Sequence, residues 1–298
     1  MIESEIEISE DLVRGLLREQ HPDLAELPIR EVSGGWGNQM WRLGDDLAVR
    51  MQRMDTSPDL QLKERRWLPS LAARLPLPIP VPLRDGAPSE RFPKIWTVMT
   101  WVEGTPLDHG SITRGDHAAE ALSGFLRALH VEAPADAPTA SDFGAHPKDC
   151  AEGFEHFFQA VAPTDLADEI REVWGEAVAA PGWEGPPVWV HGDLHPANVV
   201  VGDGTLAGVV DFGALVAGDP AWDLAAAWLL LPAGGASRFF DSYAQADEAA
   251  VRRARGLAVM RSLFLMAMGQ AGDRGLPGGK PNWGPVGRSA LDRVLKRL

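Results

Sequence analysis

Three polar residues, Asp193, Asn198 and Asp211, are spaced so that they could act together on one phosphate group. The first two lie in His191-Gly192-Asp193-Leu194-His195-Pro196-Ala197-Asn198 and the third opens Asp211-Phe212-Gly213. Moving a phosphoryl group onto a hydroxyl calls for this set. One carboxylate orients the hydroxyl and accepts its proton; further oxygen donors hold Mg²⁺ on the nucleotide phosphates. Gly202-Asp203-Gly204 reads as the turn of a hairpin over 198–201 and 206–211. That reading sets Asn198 and Asp211 on opposite strands, facing one cation. Asp193 follows the apolar strand 188–190 and emerges at its end, with His191 bracing the loop. Oxygen donors suit Mg²⁺. His191 and His195 have no nearby cysteine and no His-Glu-x-x-His pattern, which argues against zinc.

The elements that must position these residues fall into two parts. Residues 10–20 place Leu12, Val13, Leu16 and Leu17 on one helical face. Strands are expected at 29–32, 39–43, 47–51 and 95–102, with a helix at 62–73. Ser33-Gly34-Gly35-Trp36-Gly37-Asn38 links two of the strands, and its backbone N–H groups could close over phosphates. No Gly-Lys-Ser/Thr follows, so it is not a Walker loop. Glu103-Gly104-Thr105-Pro106 breaks the pattern. Two domains follow from that break, 1–103 and 104–298. The second is mainly helical, with helices expected at 113–130, 149–161, 165–179, 222–231, 237–243 and 248–268. A Gly- and Pro-rich stretch at 271–287 precedes a last helix. Asp219 and Asp223, in Gly218-Asp219-Pro220-Ala221-Trp222-Asp223, read as supports for a helix start and for the catalytic loop. Lys280 and Trp283 belong either to the rim of an acceptor pocket or to a packed surface loop.

Composition narrows the partners. With 28 Lys+Arg against 42 Asp+Glu, the net charge of −14 disfavours nucleic acid and anionic membrane; it either attracts a cationic small molecule or serves solubility alone. Apolar runs such as 225–231 are too short to span a bilayer. The acidic start Met1-Ile2-Glu3-Ser4-Glu5 does not resemble a secretory signal. The single cysteine, Cys150, forms no internal disulfide. A cytoplasmic protein is expected.

The spacing of Asp193 and Asn198 matches the kinase catalytic loop, with Gly192 where protein kinases carry Arg. This His-Gly-Asp form, followed by Asp-Phe-Gly, resembles the aminoglycoside phosphotransferase family and its choline-kinase-like relatives. The resemblance implies an α+β, two-lobed, protein-kinase-like fold, with a small mixed β-sheet N-lobe, a larger mainly helical C-lobe and the nucleotide between them. It also implies ATP or GTP as donor, with Mg²⁺. Asp193 and His191 would form the catalytic loop, and Asn198 and Asp211 would hold the metal. Ser33, Gly34, Gly35 and Gly37 would lie over the phosphates. Arg50 stands where kinases place Lys, paired with Glu64, and Thr100 and Val102 would flank the adenine through backbone groups. No Ala-Pro-Glu segment follows Asp211-Phe212-Gly213, so a small-molecule acceptor is implied rather than a protein. Among relatives an aminoglycoside-like or other cationic antibiotic comes first. An amino-alcohol or sugar kinase, or a nucleotide-binding pseudoenzyme scaffold, are the alternatives.

Overall fold

The computed structural model describes residues 7–32, 37–53, 58–139 and 143–296. The chain forms two compact units, 1–73 with 78–102, and 74–77 with 103–298.

The first unit is a five-stranded sheet with two helices. Its elements are α1 (Glu10–Gln20), β1 (Ile29–Val32), β2 (Asn38–Leu43), β3 (Leu47–Gln52), α2 (Pro58–Ala72), β4 (Pro82–Gly86) and β5 (Trp96–Thr100). The strand order is β1-β2-β3-β5-β4, and every pairing is antiparallel. β2 alternates half-buried and buried side chains, as a strand with one core face must. α1 starts at Ser9, whose hydroxyl accepts the Leu12 N–H at 3.3 Å. It buries Val13, Leu16 and Leu17 completely, against Trp41, Leu43, Val49 and Met51. Burial of each such side chain contributes about 1.5–3 kcal/mol. β4 starts at Pro82 and is an edge strand, where a missing N–H does least harm.

The second unit is mainly helical. It comprises β6 (Thr105–Pro106), α3 (Gly115–Leu129), α4 (Ala151–Val161), α5 (Ala167–Ala179), β7 (Val188–Val190), β8 (Val199–Gly202), β9 (Thr205–Val209), β10 (Val216–Gly218), α6 (Ala221–Leu224), α7 (Ala226–Leu230), α8 (Gly235–Tyr243), α9 (Glu248–Asp273) and α10 (Trp283–Leu295). α9 is the central rod: α4, α5, α6, α7 and α10 all pack on it. Asp247 caps it by accepting the Ala250 N–H at 2.7 Å. β8 and β9 form the expected hairpin, and its turn residues Asp203 and Gly204 both have positive φ, 50° and 75°. β10 pairs with β7.

Two expectations need correction. Helix α9 runs past Met268 to Asp273, and α10 starts at Trp283, so much of the stretch read as loop is helix. Gly269 and Gly272 are not breakers. A Cβ at Gly269 would lie 2.2 Å from the Gly284 nitrogen, and one at Gly272 would lie 2.4 Å from that of Pro281. The glycines let the returning chain pack directly on the helix backbone.

Candidate active site

The loop that carries Asp193 is fixed from beneath. β7 is buried at all three residues, and the chain leaves it by turning at Gly192, whose φ is +83°. A Cβ there would meet the Ala214 carbonyl oxygen at 2.8 Å, so only glycine makes this turn. The carboxylate of Asp223, on α6 and wholly buried, accepts the N–H groups of His191 at 2.7 Å and Gly192 at 2.9 Å. It also lies 3.3 Å from Nε2 of His130, whose Nδ1 is 2.8 Å from the Tyr243 hydroxyl. Burial, and the charge of Asp223, push the Tyr243 hydroxyl well above its ordinary pKa, so it remains a hydroxyl. His191 is fully buried with both ring nitrogens engaged by backbone. Nδ1 accepts the Asp193 N–H at 3.2 Å and Nε2 donates to the Val210 carbonyl at 3.0 Å. Its ring packs on Phe212, 4.6 Å between centroids. These contacts leave it bracing the loop.

Asp193 itself has three side-chain partners. Oδ1 is ion-paired with Arg261 of α9. Oδ2 accepts Nδ2 of Asn198 at 3.2 Å, and Nε2 of His195 lies 3.6 Å away. His195 Nδ1 accepts the Ala197 N–H at 3.2 Å, so Nε2 is the nitrogen that turns a hydrogen towards Asp193. Burial pushes the Asp193 carboxyl up, but the Arg261 charge and the His195 contact outweigh it and hold the group well below the usual carboxylate range. It is therefore ionised and able to accept a hydroxyl hydrogen bond at neutral pH.

Asn198 closes the one-turn helix Pro196–Asn198, and Asp211 lies two residues past Val209, the last residue of β9. Both thus sit just outside the strands, at the open end of the hairpin, rather than on opposite strands. The Val210 N–H donates to the Asn198 carbonyl at 2.9 Å and ties the two ends together. The Asn198 amide spends its donor side on Asp193, on the main-chain oxygen at 2.9 Å and on Oδ2. Its side-chain oxygen is left as a donor for a cation. Asp211 is exposed and holds φ +62°, uncommon for a residue with a Cβ. Its Oδ1 accepts the Gly213 N–H at 3.3 Å. One amide and one carboxylate oxygen fit Mg²⁺ shared with phosphates and water. Among the described residues no group of three His, Cys, Asp or Glu could hold a metal on its own.

In the first unit, Arg50 on β3 is ion-paired with Glu64 on α2. Both side chains are nearly buried, and among the described residues the Arg50 Nε has no hydrogen-bond partner. Gly37 precedes β2, and its carbonyl accepts the Arg53 N–H at 2.9 Å. Ser33, Gly34 and Gly35 lie outside the described residues. Thr100 ends β5, where its hydroxyl accepts the Val81 N–H at 2.9 Å; Val102 lies two residues beyond and is buried.

Arg261 escaped sequence reading, although a signal was present. It interrupts the apolar run Val259-Met260-Arg261-Ser262-Leu263-Phe264, and a charge in a buried helix face needs a partner. Trp283 is the first residue of α10 and is buried. Its indole donates to Asp108 Oδ2 at 2.9 Å and its ring lies 4.9 Å from that of His195. It therefore backs the catalytic loop.

The model of a family described as the phosphotransferase enzyme family matches residues 28–258. No curated protein matches the chain by sequence. Among solved structures, the chain resembles the aminoglycoside phosphotransferase APH(2″)-IIIa with GDP and kanamycin, at 18% identity, 96% of this chain, 98% of that one and a TM-score of 0.68. It resembles apo macrolide 2′-phosphotransferase MphH from Brachybacterium faecium at 22% identity, 93% and 97% coverage and a TM-score of 0.61. It also resembles APH(2″)-IIa with streptomycin and ATP, at 18% identity, 87% and 90% coverage and a TM-score of 0.58. These likenesses show the fold, the α+β protein-kinase-like fold that the motifs imply.

Proposed function

The chain belongs to the phosphotransferase enzyme family, and we propose that it transfers the γ-phosphoryl group of ATP or GTP to a hydroxyl of a small antibiotic-like molecule. The observation that carries this reading is the gathering of Asp193, Asn198 and Asp211 at the open end of one hairpin. The acceptor hydroxyl hydrogen-bonds to the Asp193 carboxylate. Its oxygen forms a bond to the γ-phosphorus as the bond from that phosphorus to the β-bridging oxygen breaks, and its proton passes to Asp193. Arg50, paired with Glu64, and the Gly-rich segment 33–37 are the positions we assign to phosphate binding. Mg²⁺, held by Asn198 and Asp211, would neutralise charge on the β- and γ-phosphates. Positioning and electrostatics supply most of the rate in such transfers. The intact set disfavours a pseudoenzyme scaffold.

Replacing Asp211 by Ala is expected to weaken nucleotide binding in the presence of Mg²⁺ more than in its absence. Calorimetric titration under both conditions is the check. Equal losses would take Asp211 out of metal binding.

The acceptor we favour is cationic, of the aminoglycoside or amino-macrolide kind. α4 carries Glu152 and Glu155 and meets α9 through Phe157 on Phe264, 5.5 Å between centroids, three residues from Arg261. Glu155 is already paired with Arg171. Glu152, Asp165, Asp168, Glu169 and Glu172 are only partly buried or exposed and are left to provide the field. Nucleotide consumption with kanamycin, gentamicin, streptomycin, a macrolide and choline identifies the class. For the acceptor found, kcat/KM should fall as ionic strength rises, because exposed charges act over about 10 Å at 0.1 M salt. A salt-independent kcat/KM, or a neutral acceptor, would assign the acidic surface to solubility alone. No helix among the described residues is long and apolar enough to cross a membrane, and we place the reaction in the cytoplasm, where the nucleotide is supplied.

A further inference from the structure

We propose that Arg261 is a positioning residue of the transfer step, fixing the plane of the Asp193 carboxylate so that one lone pair faces the acceptor hydroxyl. The proposal rests on the phosphotransferase reading above. The last torsion of an aspartate side chain is broad, with no staggered well to set it. A carboxylate plane is therefore fixed only if each oxygen has its own anchor. At Asp193, Oδ2 is anchored by Asn198 at 3.2 Å, with His195 at 3.6 Å. Oδ1 has one side-chain anchor, Arg261.

Arg261 is itself well held. Its side chain is 12% exposed, and its guanidinium carbon lies 5.4 Å from the centroid of the Phe264 ring, one helical turn on. α9 is pinned along its length. Two turns before Arg261, the wholly buried Arg253 grips Asp219 with two bonds, Nε to Oδ2 at 2.7 Å and Nη2 to Oδ1 at 3.2 Å. Two residues further on, Arg255 Nε donates to the Val294 carbonyl of α10 at 2.9 Å. A packed helix thus holds one side of the base, and the hairpin end holds the other. A flexible surface lysine could balance the charge of Asp193, but it would not set its plane. The planar fork of Arg does so through a directed N–H.

Arg261→Met and Arg261→Lys test this, compared with wild type and Asp193→Asn. The reaction followed is hydrolysis of Mg·ATP and Mg·GTP, with water as acceptor, and transfer to any acceptor the panel identifies. Arg261→Met should lower kcat roughly 10²-fold, the cost of misplacing a reacting group by about 1 Å. KM for nucleotide should stay within about twofold. Arg261→Lys should recover about tenfold of the loss, because it restores charge without the fork. A thermal-melt cycle over Arg261→Met, Asp193→Asn and the double variant reads the pair without turnover. The double variant should melt close to Arg261→Met, because the two residues share one interaction. Wild-type kcat in Arg261→Met would overturn the proposal. So would additive shifts in Tm. So would a higher kcat/KM for a cationic acceptor, which would make Arg261 a competitor for the place of the acceptor. Wild-type hydrolysis in Asp193→Asn would instead remove Asp193 from the transfer step on which the proposal rests and leave the pair itself to the melt cycle.

Discussion

Asp193→Asn should lower turnover by about 10²–10⁴, the usual worth of a positioned base, with nucleotide affinity almost unchanged. The substitution is close to isosteric and keeps an oxygen for the Asn198 amide. It removes the charge that pairs with Arg261 and the lone pair that receives the proton. Residue 193 is not among the positions proposed to bind the nucleotide. The measurements are kcat for the purified variant and calorimetric Kd for nucleotide. Turnover equal to wild type would exclude Asp193 from the proton transfer. A parallel loss of nucleotide affinity would mean that the loop has collapsed. Stability carries a second signature. The folded carboxyl is held below its ordinary range, so the pair stabilises the fold above the unfolded pKa and loses that contribution as pH falls through the folded value. The melting deficit of the variant should therefore be largest near neutral pH and shrink on acidification.

The parts of this site that the sequence displays are those made by neighbours in the chain. Asp193 and Asn198 lie within one short loop, and the Asp203-Gly204 turn returns Asp211 to that loop. A reader of spacing alone can bring these three together. Arg261 approaches Asp193 from 68 residues away, and Asp108 reaches Trp283 across 175. No local pattern encodes either meeting. They depend on how α9 and α10 pack. Helix ends are hard to read from sequence for a related reason. Gly269 and Gly272 carry the local signature of a helix stop, yet tertiary packing uses them as places of close backbone approach. The β7–β10 pairing leaves no trace in the sequence because three-residue strands give no periodicity to read. Asp223 lies between these cases. Its place in a first helical turn reads as support for the helix and the loop, and its partners, the N–H groups of His191 and Gly192, appear only in the folded chain.

Asp223→Ala should be the most destabilising of the substitutions considered, and it should silence the enzyme without touching a reacting atom. The carboxylate is wholly buried and satisfies two main-chain donors, at 2.7 and 2.9 Å, at the start of the loop. Alanine would leave both N–H groups buried and unpaired, at about 1–3 kcal/mol each. It would also strip His130 of its carboxylate neighbour and disturb the link from His130 to Tyr243. A total of about 3–5 kcal/mol follows, which in a protein of this size lowers Tm by roughly 5–8 °C. The turn at Gly192 is held by those two bonds, so the loop that carries Asp193 should lose its register even at temperatures where the fold persists. Asp223→Asn separates the two effects. Its amide oxygen can accept one N–H, but its NH₂ group faces the other, so it should recover part of the stability and little of the rate. Melting curves and kcat measured well below the lowered Tm give the answer. An alanine variant with wild-type kcat at such a temperature would show that the loop holds its geometry without Asp223, and the support assigned to α6 would have to be withdrawn.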